Sequence, residues 1–326
     1  MSAVSYAFAV GNVRAKESAL LKKQDVEQML SLDSVSEICE FLRDKGFADA
    51  DTPLDISLIL SAEERKTWEY AASVAPDFSV FEAFIVPNDY HNIKAILKGS
   101  IACIDVEGLL LRPCTVEPEL IKKAVSEQEF TLLPTPLGDV AAKAYEALVK
   151  AGDPQLCDAL LDASCSAAKL SLVEKVKIPM LCEMVRANVF FDNAKAAIRC
   201  ARANKSADFC DSCLTDTDKL TKKQFRDAAL KGVDDVLELI STVSEYRGSE
   251  LAEAYKVSPA EFERFADNFI LSVALKARYV AVGAEPLVAY LQAKLTEIKV
   301  CRSIANGREI GEEAEKTREM LRELYG

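Results

Sequence analysis

Several things are scarce in these 326 residues, and each scarcity excludes something. Glycine (12) and proline (11) together make about 7 % of the chain, against about 12 % in average usage. A sheet protein with many tight turns needs more of both, so the balance points to helices. The single histidine, His91, leaves no histidine pair for zinc and at most one histidine-based triad. Neither a Walker pattern nor a dinucleotide fingerprint occurs, which argues against ATP hydrolysis by this chain alone. No run approaches the ~18 apolar residues of a membrane-spanning helix. The best stretch, Phe269 to Leu275, is stopped by Lys276 and Arg278. No basic residue precedes the first apolar stretch, and Arg14 follows it, the reverse of a secretory signal. The expectation is a cytosolic chain with its ten cysteines reduced. Cys39, Cys103, Cys182 and Cys301 sit in apolar company and read as small core residues.

What is present is apolar and acidic. Half of the residues are hydrophobic, enough for a sizeable core without disulfides or metal. Forty Lys and Arg face 52 Asp and Glu, a net charge of −12. That balance disfavours nucleic acid or an anionic membrane surface as the primary partner. The length suits two compact units or three small ones.

Helix punctuation recurs along the chain. Ser34-Val-Ser-Glu37 has the capping-box spacing, followed by Val35, Ile38, Cys39 and Leu42 on one face and Gly46 as the stop. Ser258-Pro-Ala-Glu261 places Pro259 at the first helical position, where its missing N–H costs nothing. Asp153-Pro154 opens another helix and Thr221-Lys-Lys-Gln224 a further one. Leu287, Leu291, Leu295 and Ile298 line one face of a late helix whose exit Asn306-Gly307 is placed to cap. A final helix is expected from the stripe Ile310, Ala314, Thr317, Leu321 and Leu324, with Glu315 and Glu319 each three residues before an arginine. No run alternates like a strand, and the fold class is all-α.

Self-similarity sets the organisation. The stretch Leu32 to Leu42 matches Leu230 to Ile240 in apolar pattern and several identities. Asn92-Ile-Lys94, Asn193-Ala-Lys195 and Glu297-Ile-Lys299 each lie on an aliphatic-rich helix, and the acidic pair Asp158/Asp162 recurs as Glu263/Asp267. Intervals of roughly 100 residues are too long for a solenoid repeat. They predict three similar helical lobes: residues 1–110, 111–213 and 214–326.

Few residues suggest chemistry. His91 precedes an aliphatic stretch and reads as structural or interfacial. Cys210-Asp-Ser-Cys213 has the spacing of half a zinc site or a redox pair; Cys200 would supply a third ligand, nothing close by a fourth, and coincidence near a loop explains it as well. Asp234, Asp235 and Glu238 form an acidic cluster of the kind that holds Mg²⁺ against a diphosphate in helical isoprenoid synthases. Such enzymes need a second metal-binding helix, and here Asn268 and Ser272 are followed by Lys276 where a carboxylate is required. A repeated helix start accounts for the same acids through the helix dipole. A Mg²⁺-dependent isoprenoid-synthase-like enzyme and a generic helical scaffold therefore stand as alternatives. No catalytic residue, cofactor-binding residue or metal ligand is assigned, and no cofactor is expected.

The chain also resembles a known family. Tyr6-Ala-Phe-Ala-Val-Gly-Asn-Val-Arg14-Ala-Lys-Glu17, Leu20-Leu21 and the helix from Asp25 to Leu30 resemble the start of the C subunits of prokaryotic V-type (A-type) ATPases and ATP synthases, relatives of the eukaryotic V-ATPase d subunit. Asn88-Asp-Tyr-His-Asn92-Ile-Lys94 resembles that family's stretch ahead of an aliphatic helix. Gly283-Ala-Glu285-Pro286, Tyr290-Leu-Gln-Ala-Lys294 and Glu297-Ile are similar to its closing signature. The resemblance implies a three-lobed helical funnel with pseudo-threefold symmetry and no catalytic site. It implies a central-stalk component, one copy per complex, seated on the cytoplasmic side of the membrane rotor ring without entering the bilayer. There it would hold the foot of the central shaft and couple ATP hydrolysis or synthesis to H⁺ or Na⁺ transport.

Overall fold

The computed structural model describes residues 3–326, and among them there are helices and turns but no strand. The chain forms two compact units, Met1–Phe78 with Glu253–Gly326, and Ser79–Ala252. In chain order the helices are α1 (Ala3–Glu17), α2 (Lys23–Ser31), α3 (Val35–Asp44), α4 (Ile56–Val74), α5 (Glu82–Ala102), α6 (Pro118–Glu127), α7 (Leu137–Tyr145) and α8 (Pro154–Val176). They continue as α9 (Pro179–Arg202), α10 (Ala207–Cys213), α11 (Lys222–Ala229), α12 (Val233–Ser241), α13 (Gly248–Val257), α14 (Pro259–Ala274), α15 (Glu285–Glu309) and α16 (Ala314–Met320). None of the described helices is long and apolar enough to cross a membrane. The expectation of an all-α fold holds.

Capping side chains start the helices where the sequence places them. Ser34, Asp153, Thr221 and Ser258 each accept the backbone N–H three residues on, opening α3, α8, α11 and α14. Gln224 closes the reciprocal box by accepting the Thr221 N–H. Glu37 departs from that pattern and takes the N–H of Asp33 at 2.8 Å, one residue before the cap.

In the first unit, Met29, Ile38, Leu42, Ile59, Val300 and Cys301 form one core drawn from α2, α3, α4 and α15. Burying each such side chain stabilises the fold by about 1.5–3 kcal/mol relative to exposure. The far ends of the chain meet here: Arg318 pairs with Glu27 at 2.7 Å, and Arg308 donates to the Leu30 carbonyl at 2.8 Å. Arg14 reaches the carbonyls of Ala277 and Val280 at 2.7 and 3.1 Å.

Two expectations about the C-terminal end fail. Asn306 and Gly307 do not cap α15 but lie inside it, and the helix stops ahead of Gly311, whose φ of +72° suits glycine. Gly307 serves close packing instead, since a Cβ there would fall 2.6 Å from Thr317 Oγ1. The final stripe is helical only over α16; Leu321 and Leu324 lie beyond it and reach the same core from non-helical backbone. Arg318 pairs with Glu315 as expected, whereas Arg322 turns to Asp267 at 2.9 Å.

The second unit carries a core of Ile93, Leu97, Ile121, Ala141, Cys157 and Leu161 from α5 to α8. Beside α9, Phe190 stacks against Phe191, Phe225 and Tyr246 with centroids 5.2–6.0 Å apart. Gly248 opens α13 so close to Ile240 that a Cβ would fall 1.9 Å from that carbonyl oxygen.

Candidate functional site

The motif at Asn88 to Asn92 sits on α5, and four of its five side chains grip one irregular segment. Asn88 Nδ2 donates to the Pro113 carbonyl at 2.8 Å, and a nitrogen of the exposed His91 ring lies 2.9 Å from the Leu109 carbonyl. Asp89, almost wholly buried, accepts the N–H groups of Thr115 and Val116 at 2.8 and 3.1 Å. Burial holds the Asp89 carboxyl above its ordinary range, although these donors pull the other way. Asn92, wholly buried, takes both polar groups of one residue: it accepts the Leu111 N–H at 2.8 Å and donates to the Leu111 carbonyl at 3.0 Å. Tyr90 turns the other way to Ser164 on α8, with 3.1 Å between the hydroxyls.

The gripped segment presents apolar side chains outward. Leu109 is 55 % exposed and Leu111 42 %, and a few residues earlier in the chain Ile101 and Ile104 are 49 % and 58 % exposed. An unanchored loop would fold such side chains inward to leave water; here the backbone is pinned residue by residue. The arrangement therefore fixes an exposed apolar edge in place.

The same device recurs at the two other positions flagged by internal similarity. On α9, buried Asn193 accepts the Thr215 N–H at 3.0 Å and donates to the Thr215 carbonyl at 2.6 Å. On α15, Glu297 accepts the Leu21 N–H at 2.6 Å. As a carboxylate, Glu297 needs a countercharge, and buried Lys294 lies 3.0 Å from it and 2.7 Å from Glu63 on α4. The ammonium also rests 4.3 Å over the Phe47 ring. Burial raises the Glu297 carboxyl to about 7, against the pull of Lys294. Burial alone would lower Lys294, but Glu297 and Glu63 outweigh it and hold its pKa above the usual lysine value. The lysines two places beyond Asn92 and Glu297 recur too: Lys94 pairs with Asp162, and Lys299 with Asp267 at 2.8 Å. The other acid flagged with Asp162, Asp158, pairs with Lys98 at 2.7 Å.

The residues flagged for chemistry fall elsewhere. Asp234 and Asp235 occupy the first turn of α12, and Asp234 and Glu238 are exposed. Asn268 spends its side-chain oxygen on the N–H of Glu323. Cys210 and Cys213 lie on α10 with Cys200 of α9 beside them. Among the described residues, no three His, Cys, Asp or Glu side chains are grouped to hold a metal ion. Cys39 and Cys301 are core residues as expected, Cys182 is half-buried, and Cys103 is exposed because it ends α5 in left-handed conformation, with φ +53°.

Fold and site together define an all-helical protein whose buried polar side chains hold irregular backbone and present it. A family model described as ATP synthase (C/AC39) subunit matches residues 9–320, and the chain belongs to this family. It is 23 % identical over 318 residues to the C subunit of the V-type sodium ATPase of Enterococcus hirae, covering 96 % of this chain and 97 % of that one. It is 25 % identical over 338 residues to the C subunit of the A-type ATP synthase of Haloferax volcanii, with 93 % of each covered. The corresponding protein of Methanobrevibacter smithii is 24 % identical over 336 residues, covering 95 % of this chain and 86 % of that one.

Proposed function

We propose that this chain is the non-catalytic central-stalk subunit of a rotary V-type ATPase. In this reading it sits on the cytoplasmic face of the membrane rotor ring, without entering the bilayer, and holds the foot of the central shaft. Torque from ATP hydrolysis then reaches the ring, or ion flow drives synthesis in reverse, with H⁺ or Na⁺ as the transported ion.

The observation that carries the reading, beside family membership, is the α5 clasp and the apolar edge it presents. A torque-bearing part needs stiff contact surfaces, and pinning the backbone by buried hydrogen bonds provides stiffness without chemistry. We extend the proposal to three similar lobes, at residues 1–110, 111–213 and 214–326. Under that division each long helix grips the opening segment of the next lobe: Asn92 holds Leu111, Asn193 holds Thr215, and Glu297 holds Leu21. A threefold part suits a rotation axis, because like lobes offer like contacts around it.

The test is reconstitution. Complexes lacking this chain are expected to hydrolyse ATP without transporting ions, and Leu109→Asp with Leu111→Asp is expected to weaken its incorporation at least about tenfold. Coupling unchanged in the absence of the chain would refute the proposal.

A further inference from the structure

Cys213 ends α10 on the wall of a cavity of about 320 Å³ in the second unit, and Cys200 of α9 lines the same cavity. The wall also carries Asp162, Arg199, Lys205 and Phe209. Lys205 bonds Gln155 at 2.5 Å and lies 4.4 Å over the Phe209 ring, which fixes that side of the opening. Cys200 is buried and Cys213 half-buried, so Cys213 is the more open of the two to a small reagent. The third thiol, Cys210, is buried one helical turn before Cys213 and lies 3.9 Å from the Lys205 carbonyl.

From this placement we infer that Cys213 and Cys200 form a modification site for small hydroperoxides, with Cys213 as the attacking thiolate and Cys200 as the resolving thiol. The ionisation order agrees. The Cys213 thiol is held below its ordinary value, chiefly because the Cys200 S–H serves its sulfur, and Lys205 favours the same charge. That same hydrogen bond, followed by burial, drives Cys200 upward. Burial, and then a hydrogen bond to Cys200, pushes Cys210 up to about 12. Asp162 and Cys210 oppose the Cys213 thiolate and do not reverse the direction.

The chemistry balances in two steps. The Cys213 thiolate attacks the terminal peroxide oxygen; an S–O bond forms, the O–O bond breaks, and the alkoxide or hydroxide leaves and is protonated by solvent. The Cys200 sulfur then attacks the Cys213 sulfenic acid; an S–S bond forms, the S–O bond breaks, and hydroxide leaves with the Cys200 proton as water. Two thiols lose two electrons, and the hydroperoxide becomes an alcohol, or water, plus one water. The product ties α10 to α9 just ahead of Thr215, the residue that Asn193 holds.

The experiment exposes the folded full-length chain to hydrogen peroxide, blocks the remaining thiols and maps the peptides by mass spectrometry. The expected result is loss of two of the ten thiols, a Cys200–Cys213 disulfide, and reversal by dithiothreitol. Cys200→Ser is expected to leave a sulfenic acid on Cys213 that dimedone traps. Cys213→Ser, at a half-buried position, is expected to keep its helical circular dichroism and slow thiol loss at least about tenfold. Oxidation of exposed Cys103 with Cys213 left reduced would overturn the inference, as would a Cys210–Cys213 or a Cys200–Cys210 bond.

Discussion

Asn92 on α5 and Glu297 on α15 do comparable work in different units, and the difference lies in charge. Each is a buried polar side chain in a long helix that receives the N–H of a distant leucine, Leu111 or Leu21. The neutral amide answers both polar groups of its leucine and needs nothing else. The carboxylate answers one, and brings a negative charge that has to be met by Lys294, which in turn draws in Glu63. A neutral clasp is self-contained, whereas an ionic one spreads to three side chains and becomes sensitive to pH.

The largest expected effect comes from removing the cation. Lys294→Met leaves Glu63 and Glu297 facing each other in the core, and is expected to destabilise by about 3–5 kcal/mol in urea denaturation. A loss below about 1 kcal/mol would mean the network is solvated and the contrast with α5 is wrong. Asn92→Ala comes next. It orphans the Leu111 N–H and carbonyl together, at an expected cost of about 2–3 kcal/mol with no dependence on pH. The pH dependence separates the two clasps most sharply. Glu297 titrates near 7 in the fold against about 4.5 in the unfolded chain, so the folded state holds the proton more tightly. Its contribution is present in full below about 4.5 and is lost as pH rises through 7. Relative to Glu297→Gln, the parent chain is therefore expected to lose stability across that window and to run parallel above it. Unfolding curves of both proteins, collected across the window, would show a constant gap if Glu297 were ionised throughout.

Much of the secondary structure was legible because its signals are local. Ser34, Asp153, Thr221 and Ser258 each act on a backbone amide three residues away, a reach that sequence spacing describes completely. The failures came where a helix end depends on a remote neighbour. Asn306-Gly307 has the composition of an exit signal, but Gly307 is small so that α16 can pack against it. Leu321 and Leu324 keep helical spacing while reaching the core from non-helical chain, because burial rewards contact whatever the backbone conformation. Resemblance located the Asn88–Asn92 motif, but what it holds was hidden. Its partners lie in a segment without periodicity 18 to 27 residues on, from His91 with Leu109 to Asp89 with Val116.

Composition and pattern were thus sufficient for the helical class, the N-caps at Ser34, Asp153, Thr221 and Ser258, and the three recurring polar residues on long helices. Tertiary structure alone decided what those residues grip, which charges share a buried network, and which thiols face one cavity. The physical reason is range: capping and amphipathic patterning are settled within a few turns, whereas a buried hydrogen bond or ion pair takes its partner from wherever packing brings the backbone.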